Sequence, residues 1–311
     1  MQARPEISLV IPLYNEVESL PELHASLARA LLSYADRYEI IFVDDGSADG
    51  SFQALSALRD ADKRVKVVRL RNNQGKAAAL AAGFREAQGG IIVTLDADLQ
   101  DDPEEIPRFL QKLDEGHDLV SGWKVTRHDP WSRRLLSGIF NRVTSTLTGV
   151  KLHDFNCGFK AYRRVVISEL RLHGELHRFI PALASWRGFR VGEIEVRHHP
   201  RKYGRSKYGA ERIPRGFFDL LTVLMLTRYT TRPLHLFGLL GLVVGLAGFA
   251  ILTYLSIGWL FGKWIGARPL FIVGALMVIG GIQLVSFGLL AEMIVYASNR
   301  ESDPPVESVL K

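Results

Sequence analysis

The chain has 311 residues, 47% of them hydrophobic, and a formal net charge of +6. That length fits about two domains, and a mean hydropathy of +0.07 excludes a disordered chain and an obvious many-span transporter. The charge is unevenly spread: residues 1–122 sum to −8, 123–233 to +14 and 234–311 to 0, so three environments are expected.

The opening MQARPEISLV has no apolar run long enough for a secretory signal, which places the first domain on the cytosolic side. Strands and helices then alternate. ISLVIPLY (7–14) reads as a strand, followed by a helix over about 19–33. EIIFVDD (39–45) is a second strand, ended by Gly46-Ser47, with a helix from about Ser51. VKVVRL (65–70) is a third, before a helix opening near Gly75. IIVTLDAD (91–98) is a fourth, and Pro103 starts the next helix. This pattern predicts a parallel sheet with right-handed crossovers, whose ligands bind beyond the carboxyl ends of the strands. Tyr14-Asn15-Glu16, Asp44-Asp45, Arg71-Asn72-Asn73 and Asp96-Ala97-Asp98 all follow strands. Neither GxGxxG nor GxxxxGK[ST] stands in the first turn, which argues against a dinucleotide dehydrogenase and a P-loop enzyme.

Asp96-Ala97-Asp98-Leu99-Gln100 is the most specific element. If the chain stays extended, Asp96, Asp98 and Gln100 share one side and offer hard oxygen ligands for Mg²⁺ or Mn²⁺. Capping of a loop is the plainer use of such carboxylates. Asp44 and Asp45 either cap the GSADG turn or bind a base or ribose. Lys76 opens a helix, where free N–H groups and an ammonium favour an anion; a solvated lysine is the alternative.

The basic third carries clusters at 123–142 and 197–215. Nucleic acid would explain such charge, but a basic stretch beside a membrane segment reads as a headgroup surface, and no nucleic-acid partner is expected. Arg133, Ser137 and Asn141 repeat at helical spacing, opposite an apolar face that suits either the membrane interface or the protein core. A second amphipathic stretch covers 213–229. Residues 234–260 carry no charge and 269–296 carry only Glu292. Each exceeds the ~20 residues that cross a hydrocarbon core, so they form a helical hairpin with both ends on one face. Arg228, Arg232 and Arg300 slightly outweigh Lys263 and Arg268, which favours cytosolic ends. Gly238, Gly241, Gly245 and Gly248 permit close helix packing within the chain or between chains. Glu292 is a functional candidate by its cost in a membrane, or simply reaches headgroups. His198-His199 read as surface or strand residues rather than a zinc site. Cys157, the one cysteine, rules out an internal disulfide and reads as a small buried residue.

SLVIPLYNE, VDDGSADGS, NNQGKAAALAAGF, TLDADLQDDPEEIP and DFNCGFKAYRR stand in order along the chain. Together with the terminal hairpin they resemble family-2 glycosyltransferases of the polyisoprenyl-phosphate group, which includes bactoprenol glucosyltransferases and dolichyl-phosphate mannose synthases. The resemblance implies an α/β fold: a Rossmann-like GT-A domain with interfacial amphipathic helices and a C-terminal two-helix transmembrane hairpin. The expected division is a cytosolic catalytic domain over 1–210, a juxtamembrane helix over 211–232, the hairpin over 233–298 and a cytosolic tail over 299–311, in the inner membrane.

By the same likeness, Pro12, Tyr14, Glu16 and Asp44 would hold the base and ribose of a nucleotide-diphosphate sugar. Asp96, Asp98 and Gln100 would hold the metal and diphosphate, with Lys76 nearby. Arg133 and Ser137, with Arg127, would bind the phosphate of a polyisoprenyl phosphate. Asp154 would orient a sugar hydroxyl, or only cap a turn. Arg201, Arg205, Ser206 and Lys207 would close over the diphosphate. The implied reaction is a single inverting transfer of a hexose, with UDP-glucose favoured over GDP-mannose or a modified sugar; a homotetramer is implied by resemblance alone. A processive polysaccharide synthase would carry QxxRW and more spans, both absent from the sequence. A non-catalytic scaffold would not need the intact Asp96, Asp98, Gln100, Arg133 and Asp154.

Overall fold

The computed structural model describes residues 5–34, 37–125, 141–142, 144–146, 148–170, 176–200, 202–203, 225, 229, 233–262 and 269–298. The chain divides into two compact units, Met1–Val223 and Leu224–Lys311.

In the first unit, β1 (Ile7–Leu13), β2 (Tyr38–Asp44), β3 (Val65–Arg69) and β4 (Ile91–Thr94) are the four strands read from the sequence. They pair in parallel in the order β3-β2-β1-β4. The helices between them are α1 (Leu20–Ala30), α2 (Ser51–Ala61) and α3 (Lys76–Glu86). After β4 comes a 3-10 turn, Pro103–Glu105, and then α4 (Ile106–Asp114). Three further strands extend the sheet: β5 (Leu119–Trp123), β6 (Lys160–Arg163) and β7 (Val191–Glu195). The full order is β3-β2-β1-β4-β6-β5-β7, with β6 antiparallel to β4 and β5. The sheet is therefore mixed rather than wholly parallel. Two short helices, α5 (Arg164–Glu169) and α6 (Ile180–Trp186), with a 3-10 turn at Leu176–Phe179, complete the described part of this unit.

Because side chains alternate across a strand, each central strand supplies both faces. Leu9, Ile11, Ile40 and Phe42 pack with Leu23 and Leu27 of α1 and Phe109 and Leu113 of α4. Val10, Ile41 and Val43 pack on the other face, with Leu80 and Phe84 of α3. Phe42, Phe109 and Leu9 are wholly buried, and each such side chain contributes about 1.5–3 kcal/mol. Covering both faces of the sheet leaves the carboxyl ends of β1, β2 and β4 free to carry polar loops.

The second unit holds two long apolar helices, α7 (Leu234–Leu260) and α8 (Pro269–Ser298), which pack on each other. Both are long and apolar enough to cross a membrane, and little of either is buried. A Cβ on Gly241 would lie 2.6 Å from the Gly281 carbonyl oxygen, and one on Gly248 2.8 Å from that of Gly274. These glycines thus serve helix contact inside the chain; Gly238 has only Leu234 of its own helix nearby. Glu292 has a plain use here: its carboxylate accepts the N–H of Leu234 at 3.1 Å, satisfying a donor that the start of α7 leaves open. The juxtamembrane stretch 211–232, apart from Met225 and Tyr229, and the tail 299–311 lie outside the described residues, as do Lys263, Arg268 and Arg300.

Candidate active site

The loops after β1 and β2 are stitched together by backbone donors. Asn15 N–H donates to Ser47 Oγ at 2.8 Å, and Ala48 N–H to Asn15 Oδ1 at 2.9 Å. Glu16 N–H donates to Ser51 Oγ at 3.0 Å. Asn15 takes a left-handed backbone, φ 51°, which asparagine tolerates better than most residues. Tyr14 and Glu16 are half-buried on this rim, whereas Asp44 is wholly buried. Asp44 Oδ1 accepts Ser47 N–H at 2.9 Å, and Oδ2 faces Arg69 Nε at 3.5 Å. Asp44 therefore caps the GSADG turn. Asp45 accepts the N–H groups of Gln74 and Gly75 at 2.7 and 2.9 Å. Two backbone donors just before the first turn of α3 are thus taken by an internal carboxylate. Burial raises the Asp45 pKa, against the pull of those two bonds.

Lys76 directs its ammonium to Asp96 Oδ1. Burial acts to raise the Asp96 pKa, but Lys76 and then Lys124 outweigh it and hold the carboxyl at about 2. Gly158 closes the back of this pair: a Cβ there would stand 2.7 Å from Asp96 Oδ2 and 2.8 Å from Lys76 Nζ.

The extended geometry assumed for DADLQ is not what forms. Residues 97–99 turn, with Leu99 at φ 58°. Asp98 Oδ1 accepts Gln100 N–H at 3.2 Å, and Gln100 Nε2 donates to the His199 carbonyl at 3.4 Å, leaving its Oε1 as an acceptor. A short turn replaces strand alternation as the device that presents these oxygens. The oxygen-only set suits a hard divalent cation. Among the described residues no three His, Cys, Asp or Glu side chains cluster as metal ligands, so substrate oxygens and water would have to complete such a shell.

Asp154 is buried, accepts Asn156 N–H at 3.0 Å in a local turn, and its own N–H donates to Glu193 Oε1 at 3.1 Å. Glu193 also binds His153 Nδ1 at 2.7 Å, and the His153 ring stacks on Trp123 with centroids 4.1 Å apart. Asn141 Nδ2 donates to the His153 carbonyl at 2.8 Å. Glu193, Trp123 and Lys124 lie on strands or strand ends that the sequence reading did not single out. Their short segments, LVSGW and VGEIE, show little apolar alternation. Burial pushes the Cys157 thiol up to about 12, as fits an inert side chain. His198 faces Asp101 and His199 faces Asp102. Lys202 reaches Glu22 of α1 at 2.7 Å. Arg127, Arg133, Ser137, Arg201, Arg205, Ser206 and Lys207 lie outside the described residues.

A mixed sheet with carboxylates gathered at the carboxyl ends of β1, β2 and β4 defines a GT-A type fold, that of nucleotide-sugar transferases. The chain belongs to glycosyl transferase family 2, whose family model matches residues 8–171. It is 40% identical over 306 residues to a dodecaprenyl-phosphate galacturonate synthase of Rhizobium johnstonii, covering 96% of this chain and 90% of that one. Among solved structures it resembles glucosyl-3-phosphoglycerate synthase from Mycobacterium tuberculosis in complex with Mn²⁺ and UDP-glucose. That likeness has a TM-score of 0.54 and 19% identity, over 72% of this chain and 79% of the other. A mannosyltransferase from Pyrobaculum calidifontis in complex with GDP-mannose and Mn²⁺ matches at TM-score 0.51 and 18% identity, over 97% and 78% of the two chains. At these identities the two structures support the fold.

Proposed function

We propose that this glycosyltransferase moves a sugar from a nucleotide-diphosphate donor to a polyprenyl phosphate, with inversion at the anomeric carbon. One observation carries the reading: the match to a dodecaprenyl-phosphate galacturonate synthase, at 40% identity, covers 96% of this chain rather than the soluble unit alone. The division into a catalytic domain (1–210), juxtamembrane helix (211–232), hairpin (233–298) and tail (299–311) is part of this proposal, with the catalytic domain and both ends on the cytosolic side. The favoured donor is UDP-galacturonate. Glucose rests only on likeness in the hairpin, whereas galacturonate rests on a relative matched over nearly the whole chain.

In this reading, Pro12, Tyr14, Glu16 and Asp44 hold the base and ribose, Asp44 also fixing the turn after β2 through Oδ1. Asp98 and Gln100, with Asp96, would hold Mg²⁺ or Mn²⁺, which when bound offsets charge on the departing nucleoside diphosphate. Lys76 keeps Asp96 ionised and lies beside the diphosphate. Arg127, Arg133, Ser137 and Arg201 orient the acceptor phosphate, an anion near pH 7 that needs charge compensation rather than deprotonation. A phosphate oxygen then forms a bond to the anomeric carbon as the bond to the diphosphate oxygen breaks. Asp154 orients a sugar hydroxyl, and Arg205 and Lys207 cover the diphosphate.

The test is incubation of membranes holding the full chain with radiolabelled UDP-galacturonate, UDP-glucose and GDP-mannose, each with polyprenyl phosphate. Labelled lipid from the first donor alone is expected; labelled lipid only from another overturns the donor, and none from any overturns the acceptor. Asp98→Asn is expected to lower transfer at least ~100-fold, in line with loss of a transition-state charge contact. Undiminished turnover by that variant would sink the metal assignment.

A further inference from the structure

Asp101 follows the DADLQ turn directly, and its side chain has no exposed surface. A carboxylate this deep is costly unless paired. Its partner is Lys124, one residue past the end of β5, with Nζ 2.6 Å from Oδ1. Burial disfavours the charge on Lys124, but Asp101 first, together with Cys157 and Asp96, outweighs it and the ammonium is held strongly. On its other side Asp101 forms a lone antiparallel bridge with His198, just beyond β7, and His198 Nδ1 stands 4.0 Å from Oδ1. The next rung of this clip is His199 N–H donating to the Gln100 carbonyl at 2.8 Å. Gln100 Nε2 returns to the His199 carbonyl. Arg197 Nε adds a bond of 2.7 Å to Glu105 Oε1 a few residues on.

Three segments distant in sequence thus converge on one buried carboxylate: the turn 98–100, the exit of β5 and the exit of β7. The turn needs such support, because Leu99 sits in the left-handed region that a side chain disfavours. Stability alone is a poor reason for the pair, since a buried ion pair is often no better than two apolar side chains of the same size. Setting one register between segments is the best-attested use of such a pair.

We infer that Asp101 is a positioning residue: through Lys124 and the His198–His199 clip it holds the Asp98–Gln100 turn in the pose that receives a metal–diphosphate group. This rests on the reading of that turn as the diphosphate site, although its test is separable from the acceptor and the sugar.

The variants are Asp101→Asn, Lys124→Met, the double variant carrying both, and Lys124→Arg. Each is compared with the wild-type full chain in detergent for melting temperature, for Mn²⁺ binding by electron paramagnetic resonance with saturating UDP and in parallel with GDP, and for KM and kcat. The single variants strand one buried charge and are expected to melt lower. The double variant removes both charges of the pair and leaves Asp96 its ion pair with Lys76, so it is expected to regain most of the wild-type melting temperature. It should still bind Mn²⁺ about tenfold more weakly, the usual loss on removing a partner of a metal ligand, with donor KM raised in step and kcat less changed. Lys124→Arg keeps the charge and is expected to bind as wild type does. Wild-type Mn²⁺ affinity in the double variant overturns the inference. So does weakening that merely tracks melting temperature across all variants, and so does failure of the double variant to fold. If the wild-type protein binds Mn²⁺ with a nucleotide yet glycosylates no lipid, the function proposed above fails while this inference is still judged by the titration. A wild-type protein that binds no Mn²⁺ with either nucleotide overturns both.

Discussion

Gly158→Ala probes the site with a single methyl group. Gly158 has no unusual backbone torsion to protect, so its requirement is spatial. The added Cβ would lie 2.7 Å from Asp96 Oδ2, 2.9 Å from Asp96 Cγ and 2.8 Å from Lys76 Nζ. Optimal carbon contacts lie nearer ~3.5 Å, so the overlap is about 0.7 Å. Lys76 can swing its flexible end, but Asp96 is short and stands just beyond β4, where it has little freedom to withdraw. Overpacking of this kind costs about 1–3 kcal/mol, and displacement of a reacting group by about 1 Å costs up to ~100-fold in rate. The expected result is a 10- to 100-fold fall in kcat/KM for the nucleotide sugar, equivalent to about 1.4–2.7 kcal/mol. Gly90→Ala is the control, because its Cβ would meet only the Glu6 carbonyl oxygen at 3.9 Å. Initial rates of glycolipid formation at varied donor concentration, with melting curves alongside, make the measurement. Wild-type kcat/KM in Gly158→Ala, or an equal loss in Gly90→Ala, would refute the reasoning.

Gly241→Leu is expected to lower the melting temperature in detergent, since its Cβ already meets a carbonyl oxygen at 2.6 Å, whereas Gly280→Leu, with nothing within 4 Å, is tolerated; equal effects would refute intrachain packing of the stripe. Cys157, pushed up to about 12 by burial, is expected to resist iodoacetamide at pH 8 until the protein unfolds; stoichiometric labelling of the native protein contradicts this. Asp62 is pulled up by burial, but bonds from Arg64 and His24 outweigh it and hold the carboxyl at about 2. A depressed carboxylate stabilises the fold fully above its unfolded value near 3.8 and loses that contribution as pH falls towards 2. Asp62→Asn should therefore cost about 2 kcal/mol at neutral pH, with the difference from wild type narrowing below about pH 4 in denaturant titrations. A difference that does not change with pH would refute the assignment.

The first four strands and their helices were legible because apolar runs of four to seven residues alternate with amphipathic stretches, and burial on both faces leaves no other arrangement for them. The hairpin was legible for a simpler reason: apolar stretches of that length with at most one charge have few uses outside a membrane. β5, β6 and β7 were not legible. KAYR carries a charge at two of its four positions and VGEIE at two of its five, and the antiparallel pairing of β6 joins strands separated by residues 124–159, which no local pattern encodes. Asp96, Asp98 and Gln100 could be named from their motif, but their geometry could not: Leu99 turns the chain where alternation assumed it straight.

The sequence by itself determined the chemical inventory: an acidic third rich in carboxylates at strand ends, a basic third, and an apolar pair of helices. Local composition is enough for that, because residue type sets charge, hydrogen-bonding capacity and cost of burial. Only the tertiary structure decided which charges meet. It paired Lys76 with Asp96, Asp101 with Lys124 and Glu193 with the backbone of Asp154, and it used Asp44 and Asp45 to shape turns. Partners separated by 20 to almost 40 residues are chosen by the crossovers of the sheet, and no periodicity in the chain records that choice.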